Sequence, residues 1–311
     1  MARVHTRHPI GTPGKPWGEA EKSTWLKAQK KQRDYFNDVV SPLMRFTGGE
    51  VFQYGTLDYR RFGAASYPLY AVKSHTWQKN RPLAIVTGGV HGYETSGIHG
   101  AMLFIHEQFT SFADKVNLLV LPCISPWGYE HINRWTPEAI DPNRCFVARV
   151  PQCAEAANAM SCIIRCTQES TGVLMHIDLH ETTDTDNEEF TPAKAARDGE
   201  PLPEWYPIPD GFYIIGDEPR PQLEWHEAMI EAVKQVTHIA EAEDGKLVGE
   251  KIAKPGILIL PAVGDCASFT DAKYCTTTEV YPDSKRTNPA ECNGAQVACV
   301  ARGLSYALEH Q

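Results

Sequence analysis

The chain has 311 residues, 42% of them hydrophobic and 22% charged, enough to bury a substantial core in one large domain or two modest ones. Its formal net charge of −9 argues against a nucleic-acid binder, which would carry a basic surplus. No apolar run approaches the ~20 residues of a membrane span, and residues 1–9 lack the apolar segment of a secretory signal. The nine cysteines, including Cys162 and Cys166 one helical turn apart, form no CxxC pair and read as reduced thiols packed in a core, so the expected compartment is the cytoplasm.

Residues 1–16, rich in proline and glycine among mixed charges, read as an extended arm. From 18 to about 45, Trp25, Leu26, Tyr35, Phe36, Val39 and Val40 recur at rough helical spacing and predict a helix closed by Gly48-Gly49. The segment 1–45 is therefore expected to pack as an arm and helix on a main domain spanning 46–311. Two β-like runs, 51–54 and 67–72, flank a polar turn containing Arg60 and Arg61 and predict a meander at a sheet edge.

Strand and helix then alternate. A strand is expected over 83–90, and a helix over 96–109 with Ile98, Met102, Leu103 and Ile105 facing inward. Residues 116–123, Val-Asn-Leu-Leu-Val-Leu-Pro-Cys, are apolar in a continuous rather than alternating pattern apart from Asn117, as in a buried strand covered on both faces. A polar segment rich in Trp, Tyr and Arg runs to 150, followed by a helix over 154–167 and a strand over 172–179. Residues 181–210, acidic and then proline-rich, predict a long irregular loop forming one wall of a cleft. Strands over 212–215, 256–260 and 276–281 and helices over 222–240 and 290–308 complete the chain. With no internal repeat or linker, the expected fold is a single α/β domain with a mixed, mainly parallel central β-sheet flanked by helices.

Chemistry concentrates at the ends of the predicted strands, where open α/β sheets place their sites. Gly88-Gly89-Val90-His91-Gly92-Tyr93-Glu94 follows the strand at 83–90 and carries an imidazole and a carboxylate three residues apart. A His followed at that distance by an acid is expected about 1.5 times by chance in this composition, so the pair needs further support. His176-Ile177-Asp178-Leu179-His180 supplies it: strand alternation puts His176, Asp178 and His180 on one face, with His180 at the strand end. His176 reads as a hydrogen-bonded core residue and His180 as a ligand. His91, Glu94 and distant His180 match three protein ligands with one position left open, the arrangement of a hydrolytic zinc. Glu279, a carboxylate in the β-branched run Thr276-Thr277-Thr278-Glu279-Val280, is the candidate acceptor for a water proton, with a solvated strand-edge Glu as the plain alternative. Arg134 and Arg144, in the segment after the strand at 116–123, can hold a carboxylate bidentately or serve as ordinary surface arginines.

Gly-Gly-Val-His-Gly-Tyr-Glu-Thr-Ser-Gly, Ser-Pro-Trp-Gly-Tyr-Glu, Asp-Pro-Asn-Arg-Cys-Phe, Asp-Leu-His and Thr-Thr-Glu-Val stand in this order over roughly 50–282. Together they resemble the M14 zinc metallocarboxypeptidases. The resemblance implies a zinc-carboxypeptidase-like catalytic domain holding one Zn2+ on His91, Glu94 and His180. It implies Glu279 as general base and later proton donor, Asn143 and Arg144 as binders of a terminal carboxylate, and Asp141 as the partner of the other His91 ring nitrogen. Arg134 resembles the family's oxyanion-stabilising arginine, without the fuller Trp-Arg-Lys context. The implied substrate is a peptide, or a small N-acyl or amide compound, with a free carboxylate.

The sequence departs from digestive members of that family. Residues 256–265 contain no tyrosine where those members carry a mobile one, and Asp265 falls near their specificity position. The Glu94–His180 spacing is also shorter, as in a trimmed bacterial-type member. Two alternatives stay open within hydrolases: an N-acyl amino acid deacylase of the succinylglutamate desuccinylase and aspartoacylase group, and a murein-peptide amidase. The deacylases usually append a β-rich domain after the catalytic Glu, whereas only 32 residues follow Glu279. A non-catalytic binding protein on the same fold is disfavoured by the intact ligand set and Glu279.

Overall fold

The computed structural model describes residues 3–147 and 152–311, leaving 148–150 of the expected polar segment, and the first two residues of the arm, outside the described residues. The chain opens with α1 (Glu19–Ala28), a wide turn (Phe36–Val40), α2 (Ser41–Met44), β1 (Glu50–Asp58), β2 (Ser66–Lys73) and β3 (Leu83–Gly88). Next come α3 (Thr95–Glu107), α4 (Phe109–Ala113), β4 (Asn117–Leu121), α5 (Pro126–His131), α6 (Ala154–Gln168) and β5 (Val173–Leu179). The last part holds α7 (Thr191–Asp198), β6 (Tyr213–Asp217), α8 (Leu223–Val233), the short strands β7 (Lys246–Leu247) and β8 (Glu250–Lys251), β9 (Ile257–Leu260), β10 (Tyr274–Glu279) and α9 (Pro289–Glu309).

Eight strands form one sheet in the order β1-β2-β4-β3-β5-β10-β6-β9. The pairs β4–β3, β3–β5, β5–β10 and β6–β9 are parallel, and β1–β2, β2–β4 and β10–β6 antiparallel. The sheet is therefore mixed and mainly parallel, as the alternation of apolar runs requires. Every residue of β3 and β4 is buried, so both faces of the sheet centre are covered. On one face α9 lies between α3 and α8: Gly100 of α3 abuts the Gln296 side chain, and Gly303 abuts Met229 and Ile177. Burying these apolar side chains at about 25 cal/mol per Å² is what holds helices to sheet.

Three sequence expectations change. The helix expected from 18 to 45 breaks after Ala28, because the N–H groups of Gln32 and Arg33 donate to the Glu130 carbonyl at 2.7 and 3.2 Å instead of continuing the helical ladder. Buried Glu130 also accepts from Lys31 (2.8 Å), Tyr67 Oη (2.9 Å) and the Tyr35 N–H (3.1 Å), while Trp25 packs on Trp127 and Trp135. The expected loop 181–210 contains α7, entered through Pro192 in its first turn, a position where proline's missing N–H costs nothing. The helix expected to reach 240 stops at Val233, since Phe212 pairs with the backbone of His238 and Ala240. The short helices α2, α4 and α5 are further additions.

All nine cysteines are buried and free, and no helix among the described residues is long and apolar enough to cross a membrane. The N-terminal end of α3 presses on the sheet so closely that a Cβ on Gly97 would collide with the Leu179 carbonyl. Gly97→Ala gains about 1 kcal/mol of helix propensity but must displace backbone. The expected net result is a loss of about 1–3 kcal/mol, read as a lower urea midpoint with unchanged slope.

Candidate metal centre and cleft

Parallel pairing of β3 with β5 sets Gly88 opposite Leu179, so the chain leaves both strands at the same level. After β3 it turns through Gly89, whose positive φ of 61° suits glycine, and the turn is pinned by Ser125, whose N–H donates to the Gly89 carbonyl and whose hydroxyl donates to the Val90 carbonyl. His91 follows, and Glu94 stands immediately before α3. His180 is the first residue beyond β5.

These three side chains converge. His91 Nδ1 lies 2.7 Å from Glu94 Oε1 and His180 Nδ1 lies 2.6 Å from Glu94 Oε2. The three potential ligand atoms all fall within 4.8 Å of one another, and all three residues are buried. Each imidazole is held from behind by a second carboxylate: His91 Nε2 is 2.9 Å from Asp141 Oδ1, and His180 Nε2 is 2.6 Å from Asp178 Oδ2. Carboxylates in that position fix a ligand histidine's tautomer and raise its basicity. Asp141, which the resemblance names as the partner of the other His91 ring nitrogen, lies at hydrogen-bond distance from it. Asp178 was not assigned a role, although its place two residues before His180 on one strand face was the available signal.

Burial would push Glu94 up, but the neighbouring imidazoles, His180 ahead of His91, hold it below the usual carboxylate range. Burial likewise works against a charged His180, yet Glu94 and Asp178 raise it well above an ordinary imidazole. Asp141, raised by burial, is brought down further by Arg134 and His91. The pocket is therefore built to keep positive charge among these carboxylates.

Arg134 reaches the same cluster. Its Nε donates to Asp141 Oδ2 at 3.1 Å, and its Nη1 donates to Tyr93 Oη and Asp186 Oδ1, each at 3.2 Å. Asp186 also accepts from the Tyr93 hydroxyl at 2.7 Å and the Thr183 N–H at 2.8 Å, which ties the segment after β5 to Arg134. Neither Asp186 nor its link to Arg134 had a signal in the sequence. Asn143 sits with Nδ2 at 3.4 Å from His180 Nε2, its side-chain oxygen Oδ1 accepting from the Cys266 N–H and its backbone carbonyl left for Arg144. Arg144 is exposed on the cleft wall; it donates to the Asn143 carbonyl and, among the described residues, has no carboxylate partner.

Glu279 ends β10, which lies between β5 and β6, so it is not on a sheet edge. Its Oε2 accepts from Thr182 Oγ1 at 2.8 Å, and Thr182 in turn lies 2.6 Å from the Tyr213 hydroxyl. Burial, reinforced by Glu94, pushes the Glu279 carboxyl up to about 8. Glu181, next to His180, is committed elsewhere: it accepts from the Thr95 and Ser96 N–H groups at 2.8 and 2.7 Å and caps α3. His91, Glu94, His180, Arg134, Asn143, Arg144 and Glu279 all line one cleft of about 550 Å³. Asp141 stands behind it.

A family model described as a protein of unknown function, DUF2817, matches residues 71–188, less than half of the chain. That stretch holds His91, Glu94, Arg134, Asp141, Asn143, Arg144 and His180 and excludes Glu279. No curated protein matches the sequence. Among solved structures, the chain is similar to a provisionally designated metallopeptidase from Shewanella amazonensis SB2B, with TM-score 0.64 and 17% identity over 88% of this chain and 91% of that one. It is also similar to bovine thrombin-activatable fibrinolysis inhibitor in complex with tick carboxypeptidase inhibitor (TM-score 0.58, 12% identity, 92% and 100% covered). A third is a metallo-carboxypeptidase from Pseudomonas aeruginosa bound to (2-guanidinoethylmercapto)succinic acid (TM-score 0.55, 15% identity, 94% and 70% covered). At these identities the likeness establishes a shared carboxypeptidase-like fold.

Two imidazoles and one carboxylate, buried and held by further carboxylates, are a donor set that can bind a metal and that suits zinc. Asp141→Asn should keep the fold and lower zinc affinity about 10- to 100-fold, measured by competition with a chelator.

Proposed function

We propose that the protein is a zinc-dependent metallocarboxypeptidase that hydrolyses the C-terminal peptide bond, or a peptide-like amide bond, of a substrate with a free carboxylate. The observation that carries this reading is the convergence of His91, Glu94 and His180 in a cleft that also presents Glu279 and Arg144. One Zn2+ held by His91, Glu94 and His180 would supply Lewis-acid polarisation of the scissile carbonyl and acidification of water.

The remaining work falls to the protein. Arg144 binds the substrate's terminal carboxylate, since it lines the cleft and has no carboxylate partner among the described residues, and Asn143, which lines the same cleft, is a further donor. Glu279 takes the proton of the attacking water at its carboxylate and returns it to the leaving amine. Thr182, anchored by Tyr213, holds Oε2 of Glu279 and so fixes the direction of its other oxygen. Arg134 keeps positive charge at the rim of the ligand cluster, where it can stabilise a developing oxyanion, while Asp141 and Asp186 fix its position. The Pseudomonas aeruginosa neighbour, bound to a succinic acid derivative, supports a carboxylate ligand in this fold.

Glu279→Gln should retain zinc and lose about 10²- to 10⁴-fold in kcat; unchanged turnover in a zinc-loaded variant sinks the base assignment. Arg144→Ala should raise KM about 10- to 100-fold for peptides with a free C-terminal carboxylate and leave amidated peptides unaffected. The substrate class is tested by a panel of peptides, N-acyl amino acids and murein peptides. Release from N-acyl amino acids alone would make the protein a deacylase, and release from murein peptides alone an amidase.

A further inference from the structure

Behind His180 a line of hydrogen bonds runs into the centre of the sheet, through residues that the proposed reaction does not use. Asp178 Oδ1 accepts from Thr87 Oγ1 at 2.6 Å, across the β3–β5 pair in which Thr87 and Asp178 stand opposite each other. Thr87 Oγ1 is also 3.1 Å from His176 Nε2, and His176 Nδ1 is 3.3 Å from Thr270 Oγ1. Thr87, His176 and Asp178 are fully buried, so no water competes for these bonds.

The direction of each bond follows from the proton count. A hydroxyl has one proton to give, and that of Thr87 goes to Asp178 Oδ1. Thr87 Oγ1 then serves as acceptor, both for the Cys266 thiol at 3.6 Å and for His176, which at 3.1 Å carries its proton on Nε2. Burial keeps His176 neutral by lowering it to about 4, so its Nδ1 is bare and accepts from Thr270. At the other end, Asp178 Oδ2 accepts from His180 Nε2–H. When His180 serves as a metal ligand, its lone pair is thereby on Nδ1, the nitrogen that faces Glu94.

We propose that Thr87 and His176 are positioning residues for the candidate metal centre, holding Asp178 as a pure acceptor and so fixing which nitrogen His180 offers to a metal. This inference rests on the reading of His180 as a metal ligand. The alternative, a purely structural polar cluster in the core, makes a different prediction about metal affinity. A lone core histidine needs one partner, whereas here both ring nitrogens are engaged in a line that ends on a ligand.

The test is zinc affinity by chelator competition on the full chain, with thermal melting of the metal-free protein and 15N histidine NMR alongside. Thr87→Val keeps the side-chain shape and removes the hydroxyl; its zinc Kd should rise about 10-fold, the lower end of the effect of a direct outer partner. Thr87→Ser should restore near wild-type affinity, and a loss of affinity in Thr87→Val without rescue by Ser would mark a packing effect and overturn the proposal. In wild-type protein, His176 should show the Nε2–H tautomer, and zinc-loaded His180 should too. These spectra need no variant and stand even if Thr87→Val fails to fold. An unchanged zinc Kd in Thr87→Val, or a His176 proton on Nδ1, overturns this inference alone. Absence of zinc binding by the wild-type protein overturns the metal reading and this inference with it.

Discussion

The register between β3 and β5 is the constraint on which the candidate site depends. Parallel pairing with Thr87 opposite Asp178 and Gly88 opposite Leu179 brings two chain exits to one level. A slip of one residue would turn His176, Asp178 and His180 to the opposite face of the sheet and separate His180 from Glu94. The apolar residues between them hold the register. Ile85, Val86, Ile177 and Leu179 are fully buried, so any slip would expose them or bury polar groups without partners. Core packing and site geometry are thus the same set of contacts.

Charge is distributed over this frame with a clear division of labour. Four carboxylates, Glu94, Asp141, Asp178 and Asp186, surround His91, His180 and Arg134. Burying so many charges is tolerable only because each is paired and hydrogen-bonded. Arg134 is held in that network by Asp141 and Asp186, whereas Arg144 lines the cleft without a carboxylate partner among the described residues. Two arginines ten residues apart therefore do different things, and the difference lies in their partners.

Other buried acids brace the site without entering it. Glu130 gathers residues 31–35 and Tyr67 around α5, and Glu181 caps α3 immediately after His180. The Glu181 contacts tie the exit of β5 to the start of α3, and so hold His180 and Glu94 together from a second direction. The aromatic cluster of Trp25, Trp127 and Trp135 seats α1 against the α5 region that leads to Arg134. The segment after β5 returns through Asp186 to Tyr93 and Arg134, so the wall of the cleft is fastened to the ligand cluster.

The alternation of strands and helices was legible in the chain alone, because short continuous apolar runs such as 83–86 and 118–121, bounded by polar and turn residues, fit strands buried on both faces. The local candidates were also legible there: His91 with Glu94 through spacing along one turn, and His180 through its place at the end of a strand face. Tertiary structure decided everything that depends on groups distant in sequence. The break after Ala28 exists because the Glu130 carbonyl, about a hundred residues away, captures two N–H groups. The helix Thr191–Asp198 was hidden by acidic and proline-rich neighbours whose local signals favour a loop. The hydrogen-bond partners of Arg134, the link through Asp186 and the line from Thr270 to His180 likewise have no local pattern. The turn after β3 supplied a histidine and a glutamate, but only the pairing of β3 with β5 made them part of one buried cluster with His180, since hydrogen-bond register acts between strands and not along them.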